Sequence, residues 1–363
     1  MDRREMLAGA AAAAALMPAA AGAAVRRPAT RRTRTIDTLA VDGPGFDAPA
    51  MLAAGLDAAV LDLLIYPRAP AEAARALAEW NEAEQRPGAR FRLIRRSADL
   101  ASAGAAERFG VILACQDAAI LGTSVFSVGD GNLDALRDYH RLGLRVLQLT
   151  HNERNAVGDG FRERTDAGLS LLGEAVVAEM ARLGMVVDLS HCSDSTTLAA
   201  VRLSPGPVAV THAGCRALYP SRRNKTDEAI RALADKGGYF GVYMMTRWLT
   251  AAPQASVETV VDHIEHAIRV GGAGLVGFGS DQPLAGEPEP ESAKVAALAG
   301  YQARNRGLPG AEPLNGHVTA ADLDRPDRMA VLERALRRRG HGPAAIEGIL
   351  GGNFQRLFAS VAG

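Results

Sequence analysis

Short apolar runs rich in valine, isoleucine and leucine alternate along the chain with longer stretches in which apolar residues recur every three or four positions. The first pattern predicts buried parallel strands, and the second predicts amphipathic helices that cover them. The predicted strands are Thr38–Val41, Ala58–Leu64, Phe91–Ile94, Val111–Ala114, Val146–Leu149, Met185–Leu189, Val208–Val210, Tyr239–Tyr243 and Gly274–Phe278. The clearest helical patterns are Ala71–Glu84, Gly168–Leu183, Asp227–Lys236, Ser256–Val270, Arg328–Arg339 and Pro343–Val361.

The repeated alternation of strand and helix favours an α/β fold with a parallel sheet. Glycines such as Gly184, Gly237 and Gly271 follow predicted helices, as expected where a helix turns into the next strand. Nine candidate strands in a 363-residue chain predict a closed (β/α)₈ TIM-type barrel, in which the ninth strand is either an extra strand or a wrong prediction. The barrel is expected to form a single domain over residues 25–363. The Pro- and Glu-rich stretch Leu284–Ser292 has no periodicity, so we expect a long loop at the barrel mouth that could serve as a lid.

The N-terminus differs in composition from the rest of the chain. Arg3 and Arg4 precede an alanine-rich stretch that ends around Ala24. This pattern is typical of a twin-arginine export signal with a small-residue cleavage site. We therefore expect residues 1–24 to be removed and the mature protein to work in the periplasm or outside the cell. The stretch is too weakly hydrophobic for a membrane span, and no segment of the mature chain is expected to cross a bilayer.

Charge and cysteine content narrow the classes of partner. The 41 basic residues balance 41 acidic ones, so no basic excess indicates a nucleic acid or an anionic lipid as partner. A small-molecule or peptide substrate is expected instead. Three cysteines cannot form a disulfide framework. Cys115, Cys192 and Cys215 lie near candidate pocket motifs, but we interpret them as small buried fillers.

Two of the predicted strands end in histidine. Residues Gly184–His191 read Gly-Met-Val-Val-Asp-Leu-Ser-His, and residues Pro207–His212 read Pro-Val-Ala-Val-Thr-His. In a barrel of alternating strands and helices, the carboxyl ends of the strands converge on one mouth, where catalytic groups lie. Two imidazoles from neighbouring strands could therefore share one metal ion at about 2.0–2.1 Å. The alternative is two unrelated histidines, each hydrogen-bonded in its own loop.

Further polar residues occupy equivalent positions. His151, Gln116 and Asp281 each follow an apolar run, and Arg222 and Arg223 lie shortly after the second histidine motif. A metal that activates water, a carboxylate that steers it and an arginine that holds an anionic substrate end are the parts of a hydrolase. The strand ends therefore predict a metal-dependent hydrolytic site.

These ordered motifs resemble those of the membrane (renal) dipeptidase family of zinc peptidases. The resemblance extends from about Val111 to Val361 and includes the strand before His151, the segment Gly184–His191, the Arg-Arg-Asn-Lys-Thr-Asp stretch from Arg222, and Gly351–Phe358. It implies a (β/α)₈ barrel of the metallo-dependent hydrolase type, with two zinc ions bridged by a glutamate. It also implies hydrolysis of dipeptides and a homodimer.

The resemblance implies roles for individual residues outside the metal site. His151 matches the histidine that contacts the tetrahedral intermediate, and Arg223 matches the arginine that binds the substrate carboxylate. Asn224 follows that arginine and is taken as a further substrate-binding residue. Asp281 matches the aspartate thought to handle the proton, so His151 and Asp281 are the implied catalytic pair.

The metal site is where this sequence departs from the family. His191 and His212 match the histidines of the second zinc, but Gln116 replaces the bridging glutamate and is a neutral, poorer ligand. The family's opening motif, Asp-Gly-His-x-Asp, binds the first zinc, whereas residues Val41–Asp47 read Val-Asp-Gly-Pro-Gly-Phe-Asp. We therefore expect one zinc ion rather than two, held by His191, His212 and Gln116.

Several interpretations stay open from the sequence alone. Asp42, Asp47 or Cys115 could rebuild the first metal site with different ligands. The predicted function is an exported, metal-dependent dipeptidase-like hydrolase that cleaves dipeptides or related small amides. One alternative is a family member whose altered site acts on another amide, ester or lactone. The other is a catalytically silent protein that binds peptides or other carboxylates through Arg223.

Overall fold

The strands lie side by side in one parallel sheet. The computed structural model describes residues 33–63, 69–104, 107–122, 130–286, 290–304, 306–307 and 317–363. The strands are β1 (Ile36–Ala40), β2 (Ala58–Asp62), β3 (Phe91–Leu93), β4 (Phe109–Cys115), β5 (Leu144–Gln148), β6 (Val186–Asp188), β7 (Ala209–Ala213), β8 (Tyr239–Val242) and β9 (Val276–Phe278). The α-helices are α1 (Ala48–Ala53), α2 (Pro70–Gln85), α3 (Ser97–Ala101), α4 (Asp130–Arg141), α5 (Leu171–Leu183), α6 (Asp194–Leu203), α7 (Asp227–Asp235), α8 (Thr246–Leu249), α9 (Val257–Gly271), α10 (Glu291–Arg304), α11 (Arg328–Arg338), α12 (Pro343–Glu347) and α13 (Asn353–Val361).

The sheet curls into the predicted eight-stranded barrel. Its strand order is β1-β2-β4-β5-β6-β7-β8-β9, and every pairing along this path is parallel. The predicted extra strand is β3, which pairs only with β4 and lies off the path. Between the first and last strands, the Asp281 N–H donates to the Leu39 carbonyl at 2.9 Å and the Val41 N–H to the Gln282 carbonyl at 3.2 Å. The (β/α)₈ prediction is therefore confirmed.

Two apolar clusters hold the barrel together, because successive residues of a strand point to opposite faces of the sheet. The larger cluster joins the outer strand faces to the helices. The smaller one takes alternate strand residues, such as Val60, Ile112 and Val186, and fills the barrel interior. Phe354 of α13 packs edge-on against Tyr239 at 5.3 Å between ring centroids and closes the amino-terminal end. Apolar side chains thus fill the interior and the amino-terminal end of the barrel. The carboxyl-terminal mouth is its polar end.

Local side-chain chemistry fixes where the helices next to the mouth begin. The side chains of Ser170, Ser193, Thr226 and Ser256 accept hydrogen bonds from backbone N–H groups in the first turns of α5, α6, α7 and α9. Such caps satisfy donors that would otherwise lack a partner at a helix start. Three of these caps follow strand-end loops, so the capping residues also set the paths of the loops that carry site residues.

Two sequence predictions near the C-terminus need correction. The predicted helix Pro343–Val361 is interrupted at Gly351, where φ is 150°. A Cβ atom there would lie 2.1 Å from the Arg34 carbonyl oxygen, so only glycine fits this close approach. The predicted loop Leu284–Ser292 is also shorter than expected, because Leu284 is buried and α10 already begins at Glu291. Residues 287–289 lie outside the described part.

The predicted export signal lies outside the described residues, as does the start of the predicted mature chain. Among the residues that are described, no helix is both long enough and apolar enough to cross a membrane. Cys115, Cys192 and Cys215 are buried and form no disulfide, as expected for buried fillers.

Candidate metal centre and active site

Two histidines converge at the mouth between β6 and β7. His191 follows β6 after a two-residue extension, and His212 lies near the end of β7, which pairs with β6 in parallel. Both side chains are buried, and their Nε2 atoms face each other at 3.0 Å. Two nitrogens bound to one tetrahedral zinc at about 2.0–2.1 Å would lie roughly 3.3 Å apart. The pair is therefore close to the spacing that one shared ion requires.

The outer ring nitrogens of the pair show which form the imidazoles take. His191 Nδ1–H donates to Asn152 Oδ1 at 2.9 Å, since a carbonyl oxygen can only accept. The Thr211 hydroxyl donates to Asp188 Oδ2 at 2.6 Å, so its oxygen accepts from His212 Nδ1–H at 2.8 Å. Both protons are thus on Nδ1, and both Nε2 atoms carry lone pairs. Two lone pairs facing at 3.0 Å repel unless a cation lies between them, so the residues present fit a metal ion.

Asp188 is the carboxylate that accepts the hydrogen bond of the Thr211 hydroxyl. It is buried at the end of β6 and accepts from the Ser190 hydroxyl at 2.6 Å and from the Thr211 N–H at 3.0 Å, besides the Thr211 hydroxyl. Burial raises the pKa of Asp188, and these hydrogen bonds oppose that rise. Burial also lowers the pKa of His212 well below its ordinary value, which keeps the imidazole neutral. A neutral imidazole oriented through its outer nitrogen is the form that binds metals.

His151 lies next to this pair, as the sequence predicted for a catalytic residue. It follows β5 by three positions, is half-buried, and stacks on His191 with 4.3 Å between ring centroids and 19° between ring planes. The stacking places a third imidazole beside the proposed metal position. The role of His151 as a contact to the reaction intermediate stays a prediction.

Asp281 reaches the mouth from the opposite side, after β9. Its backbone is in the left-handed region with φ at 59°, a conformation that aspartate tolerates better than most residues. Burial raises its pKa to about 6, while the positive charges of Arg223 and Arg247 lower it. A carboxyl group with such a pKa can take up and release a proton near neutral pH. This agrees with the proton-handling role predicted for Asp281, which remains untested.

Gln116 follows β4, two positions from β6 in the strand order, and its role as a metal ligand stays a prediction. It is buried after β4, where its N–H donates to Asp62 Oδ1 at 3.0 Å and its carbonyl accepts from the Gln148 side chain at 2.6 Å. These contacts anchor its backbone between β2 and β5. No group of three or more His, Cys, Asp or Glu side chains able to hold a metal is found in the described part of the chain. The histidine pair is therefore a ligand set that an amide or water must complete.

The residues expected to rebuild the first metal site are engaged elsewhere. Asp47 is exposed and caps α1, accepting from the Ala50 N–H at 3.0 Å. Asp42 accepts from the Leu284 N–H at 2.7 Å and holds the loop after β9. Asp42 follows the end of β1 at Ala40 by two residues, whereas Asp47 lies at the start of α1. The exposed position of Asp47 and its role as a helix cap do not favour it as a replacement for a first-site ligand.

Arg223 is enclosed within the wall of the mouth. It has 0% exposure, and its two terminal nitrogens donate to the backbone carbonyls of Ser190 at 2.6 Å and His212 at 3.0 Å. Burial lowers its pKa. Three aromatic rings surround the guanidinium, with centroids at 5.9 Å, 5.1 Å and 5.4 Å, namely Phe161, Tyr243 and Trp248. The competing candidate, Arg222, is exposed.

The side chain of Asn224 is buried and held by four hydrogen bonds. Its Oδ1 accepts from the Gly214 N–H at 3.0 Å and the Tyr243 hydroxyl at 2.7 Å. Its amide nitrogen donates to the Tyr219 carbonyl at 3.0 Å and the Trp248 carbonyl at 2.6 Å. An asparagine side chain has two acceptor and two donor positions, and all four are used. Asn224 therefore braces the loops of the mouth, and its role in substrate binding stays a prediction.

Sequence reasoning missed the residues that support the histidines. Asn152 and Asp188 were read only as parts of motifs, although each orients one imidazole directly or through Thr211. A signal was available, because a carboxylate inside an apolar strand must find partners when it is buried. The same reasoning applies to Asp62, a buried carboxylate at the end of the apolar strand β2.

The sequence of the chain matches a known protein family. The family described as membrane dipeptidase (Peptidase family M19) matches residues 46–292. The chain belongs to the membrane dipeptidase family. Among curated relatives, Dipeptidase aclJ of Aspergillus oryzae is 38% identical over 155 residues, covering 42% of this chain and 37% of that protein. Dipeptidase 3 of Rattus norvegicus is 29% identical over 238 residues, covering 64% and 42% respectively. The matches thus span less than half of either relative.

Solved structures of similar fold agree with this membership. An amidohydrolase from Pseudomonas aeruginosa superimposes with a TM-score of 0.77 at 23% identity, covering 91% of this chain and 97% of that one. A metallo peptidase from Rhodobacter sphaeroides, liganded with a phosphinate mimic of the dipeptide L-Ala-D-Ala, gives a TM-score of 0.70 at 22% identity, covering 91% and 100%. At these identities the likeness shows that this chain has the same barrel fold as these two proteins.

Proposed function

We propose that this membrane dipeptidase family member is a metal-dependent hydrolase that cleaves dipeptides or related small amides, with one zinc ion at His191 and His212. The observation that carries the proposal is the 3.0 Å approach of two Nε2 atoms whose outer nitrogens are both hydrogen-bonded to acceptors. Family membership supports a dipeptide as the first substrate class to test.

The side chains around the histidines supply the remaining chemistry. When bound there, a divalent metal lowers the pKa of a water molecule and polarises the scissile carbonyl. His151, held against His191 by stacking, would donate a hydrogen bond to the oxygen that gains negative charge. Asp281, with its raised pKa, would carry a proton to the leaving amine. The Phe161 ring lies 6.0 Å from the His191 ring and 6.4 Å from the Trp248 ring between centroids, so aromatic side chains adjoin the histidine pair.

A one-metal site is supported by the side of the mouth formed by β1 and β4. Leu39, Ala40 and Val41 occupy the end of β1, and none of these side chains can bind a metal. Gln116 offers one neutral oxygen where a bridging carboxylate would offer two anionic ones. A pair of dications held close together therefore lacks the negative charge that would offset their repulsion.

The neutral Gln116 at the bridging position also favours a second candidate function. A family member with one metal and a neutral bridging position could act on another amide, an ester or a lactone, since a single metal still activates water. A catalytically silent protein that binds peptides or other carboxylates is the third possibility. These differ in a measurable way, because the second turns over a non-peptide substrate and the third turns over none.

The deciding experiment is a turnover panel with the purified full chain. L,L- and L,D-dipeptides, simple esters and lactones are assayed with added zinc, cobalt or manganese, and His212→Ala serves as the matched metal-site control. Dipeptide turnover that is absent in His212→Ala supports the proposal. Ester or lactone turnover alone selects the second candidate. Binding of dipeptides without any turnover selects the silent binding protein.

We further propose export by the twin-arginine route, which rests on the composition of residues 1–24. Replacing Arg3 and Arg4 together by lysine should leave the protein in the cytoplasmic fraction of an expressing bacterium, whereas the unchanged chain should appear in the periplasm. The homodimer implied by the family resemblance is checked by light scattering on the purified chain. A monomeric mass at micromolar concentration would rule it out.

A further inference from the structure

Asp281 lies in a short segment, residues 280–284, whose backbone is held by two carboxylates. Asp37 of β1 is buried, and its Oδ1 accepts at 2.8 Å from the N–H of the residue before Asp281. Asp42 Oδ2 accepts from the Leu284 N–H at 2.7 Å. Because one contact precedes Asp281 and the other follows it, the two carboxylates hold the backbone on both of its sides.

Arg328 binds the same segment from the start of α11. Its side chain is buried, and its Nη2 donates to the Pro283 carbonyl at 2.5 Å and to the Leu284 carbonyl at 3.3 Å. Its Nε donates to the Arg325 carbonyl at 3.0 Å, which orients the guanidinium from the turn before the helix. The segment therefore donates to the two carboxylates through its N–H groups and accepts from Arg328 through its carbonyls.

Arg328 and Asp37 also bring opposite charges together inside the protein. Arg328 Nη1 lies 3.7 Å from Asp37 Oδ2, and among the residues that the structure describes neither atom has a hydrogen-bond partner. Burial raises the pKa of Asp37, and the positive charge of Arg328 opposes that rise. A buried ion pair seldom adds stability over apolar side chains of similar volume. The backbone contacts that the two groups make to residues 280–284 give a reason for their presence.

The conformation of Asp281 needs support of this kind. Its φ of 59° lies in the left-handed region, which is disfavoured for residues other than glycine. Such a conformation persists only where the surrounding structure determines it. If the segment were free to relax, φ would return to a negative value and the Asp281 carboxyl group would turn away from its present position.

We propose that Asp37 and Arg328 are positioning residues that hold the carboxyl group of Asp281 at the mouth. The inference rests on the proposed function, in which Asp281 carries the proton to the leaving amine. Both residues are buried and act through the backbone of residues 280–284. Their loss should therefore slow the chemical step more than it weakens substrate binding.

The first measurement does not depend on turnover. Hydrogen exchange of the zinc-loaded full chain is followed by mass spectrometry. Arg328→Met removes the donors to the segment and the charge beside Asp37. Exchange in residues 279–285 should become more than about 10-fold faster, as expected for the loss of charged hydrogen bonds. Peptides from β6 and β7 should keep their rates within about twofold, because the opening is local.

The second measurement is dipeptide hydrolysis by variants of equal zinc content. Arg328→Met should lower kcat roughly 10- to 100-fold, as expected for a misplaced proton-transfer group. KM should change by less than about threefold, since substrate binding is not altered. Arg328→Lys keeps the positive charge and one group of donors, so it should recover part of the lost kcat.

A double variant separates positioning from stability. Asp37→Asn combined with Arg328→Met removes both buried charges and keeps a side-chain oxygen that can accept from the segment. Its thermal unfolding midpoint should lie above that of Arg328→Met, because no buried charge is left unpaired. Its kcat should nevertheless stay low, and exchange of the segment should stay faster than in the unchanged chain.

The matched control breaks an ion pair on the outer helices. Arg137 of α4 binds the largely buried carboxylate of Glu179 on α5 at 2.6 Å. Arg137→Met should alter neither kcat nor the exchange of residues 279–285, even if it lowers the unfolding midpoint.

The outcomes distinguish this inference from the proposed function. Unchanged exchange of residues 279–285 in Arg328→Met, or a double variant with the kcat of the unchanged chain, overturns the inference while the dipeptidase proposal stands. If the unchanged chain hydrolyses no dipeptide, the proposed function is wrong, and exchange alone then decides whether Asp37 and Arg328 hold the Asp281 segment. If Arg328→Met does not fold, the double variant and Arg328→Lys are measured in its place by the same criteria.

Discussion

The two sides of the barrel mouth differ in whether they offer oriented side chains that can bind a metal. On the β6–β7 side, His191 and His212 are buried, neutral and oriented by acceptors that lead back to Asn152 and Asp188. On the β1–β4 side, the strand ends carry Leu39, Val41 and Gln116, and the nearest loop aspartates are used to cap a helix and to hold a loop.

The difference shows what a metal site requires beyond a ligand. Each imidazole of the β6–β7 side has its outer nitrogen fixed by a hydrogen bond, and that arrangement decides which lone pair faces the ion. The β1–β4 side has buried polar groups, including Asp62 and Gln116, and the Gln116 backbone N–H donates to Asp62 Oδ1. We therefore expect metal binding to depend chiefly on the β6–β7 side.

The largest effect should come from removing one imidazole. His212→Ala leaves His191 as a single histidine ligand, so zinc should bind more than about 100-fold more weakly, exceeding the usual outer-shell effects. Hydrolysis should fall to background. Zinc affinity is measured by competition with a chelator, and His266→Gln, on the outer helix α9, is the control. Unchanged affinity in His212→Ala would show that the ion binds elsewhere.

A second, smaller effect should follow from the carboxylate behind His212. Asp188→Asn places an amide N–H₂ where the structure has only donors, so the hydroxyl of Thr211 loses its acceptor and His212 its fixed orientation. Zinc affinity should fall about 10- to 100-fold. The exposed Asp138→Asn is the matched control. Normal affinity with normal folding in Asp188→Asn would mean that the relay through Thr211 is dispensable.

Asp281 should make the stability of the metal-free protein depend on pH. Its folded-state pKa of about 6 lies above the unfolded value, so the folded state binds more protons between about pH 4 and 6. Stability from this group is present at low pH and is lost as pH rises through 6. Because the side chain is partly exposed, we expect roughly 1–2 kcal/mol. Asp281→Asn should lack this loss, and asparagine also tolerates a positive φ.

Urea unfolding at pH 4 and pH 7, in the presence of a chelator, checks this prediction. The free energy of unfolding of Asp281→Asn relative to the unchanged protein should be higher at pH 7 than at pH 4. An equal difference at both pH values would place the Asp281 pKa near its ordinary value.

The smallest effect should come from restoring a carboxylate on the ligand-poor side. Gln116→Glu returns the residue type that bridges two ions in the family, but the end of β1 still offers only apolar side chains. Zinc content should stay at about one ion per chain, with affinity changed by less than about threefold. Two ions per chain in Gln116→Glu would show that Asp62 or another carboxylate can complete a first site.

The sequence was sufficient to predict the barrel and the histidine pair. Strand ends of a parallel barrel share one mouth, so His191 and His212 could be brought together from the order of the elements alone. The extra strand β3 was expected in number but not in place, because pairing outside the barrel depends on tertiary contacts that periodicity does not contain.

Other features of the site could not be predicted from motifs. A motif shows that Asn224 and Arg223 lie near the mouth, but burial and hydrogen-bond partners decide whether their donors face the substrate or the protein. The sequence predicted that the first-site ligands are missing at Val41–Asp47 and left open whether Asp42 or Asp47 replaces them. The motif could not show that β1 ends at Ala40 and that Asp47 caps α1.

The most direct test of the account is an anomalous diffraction experiment at the zinc edge on crystals of the full chain grown with excess zinc. We predict one anomalous peak per chain at the mouth, between His191 Nε2 and His212 Nε2, with both outer nitrogens still bound to Asn152 and Thr211. Two peaks roughly 3.5–4 Å apart, the spacing of a two-metal site, or no peak between these nitrogens, would contradict it.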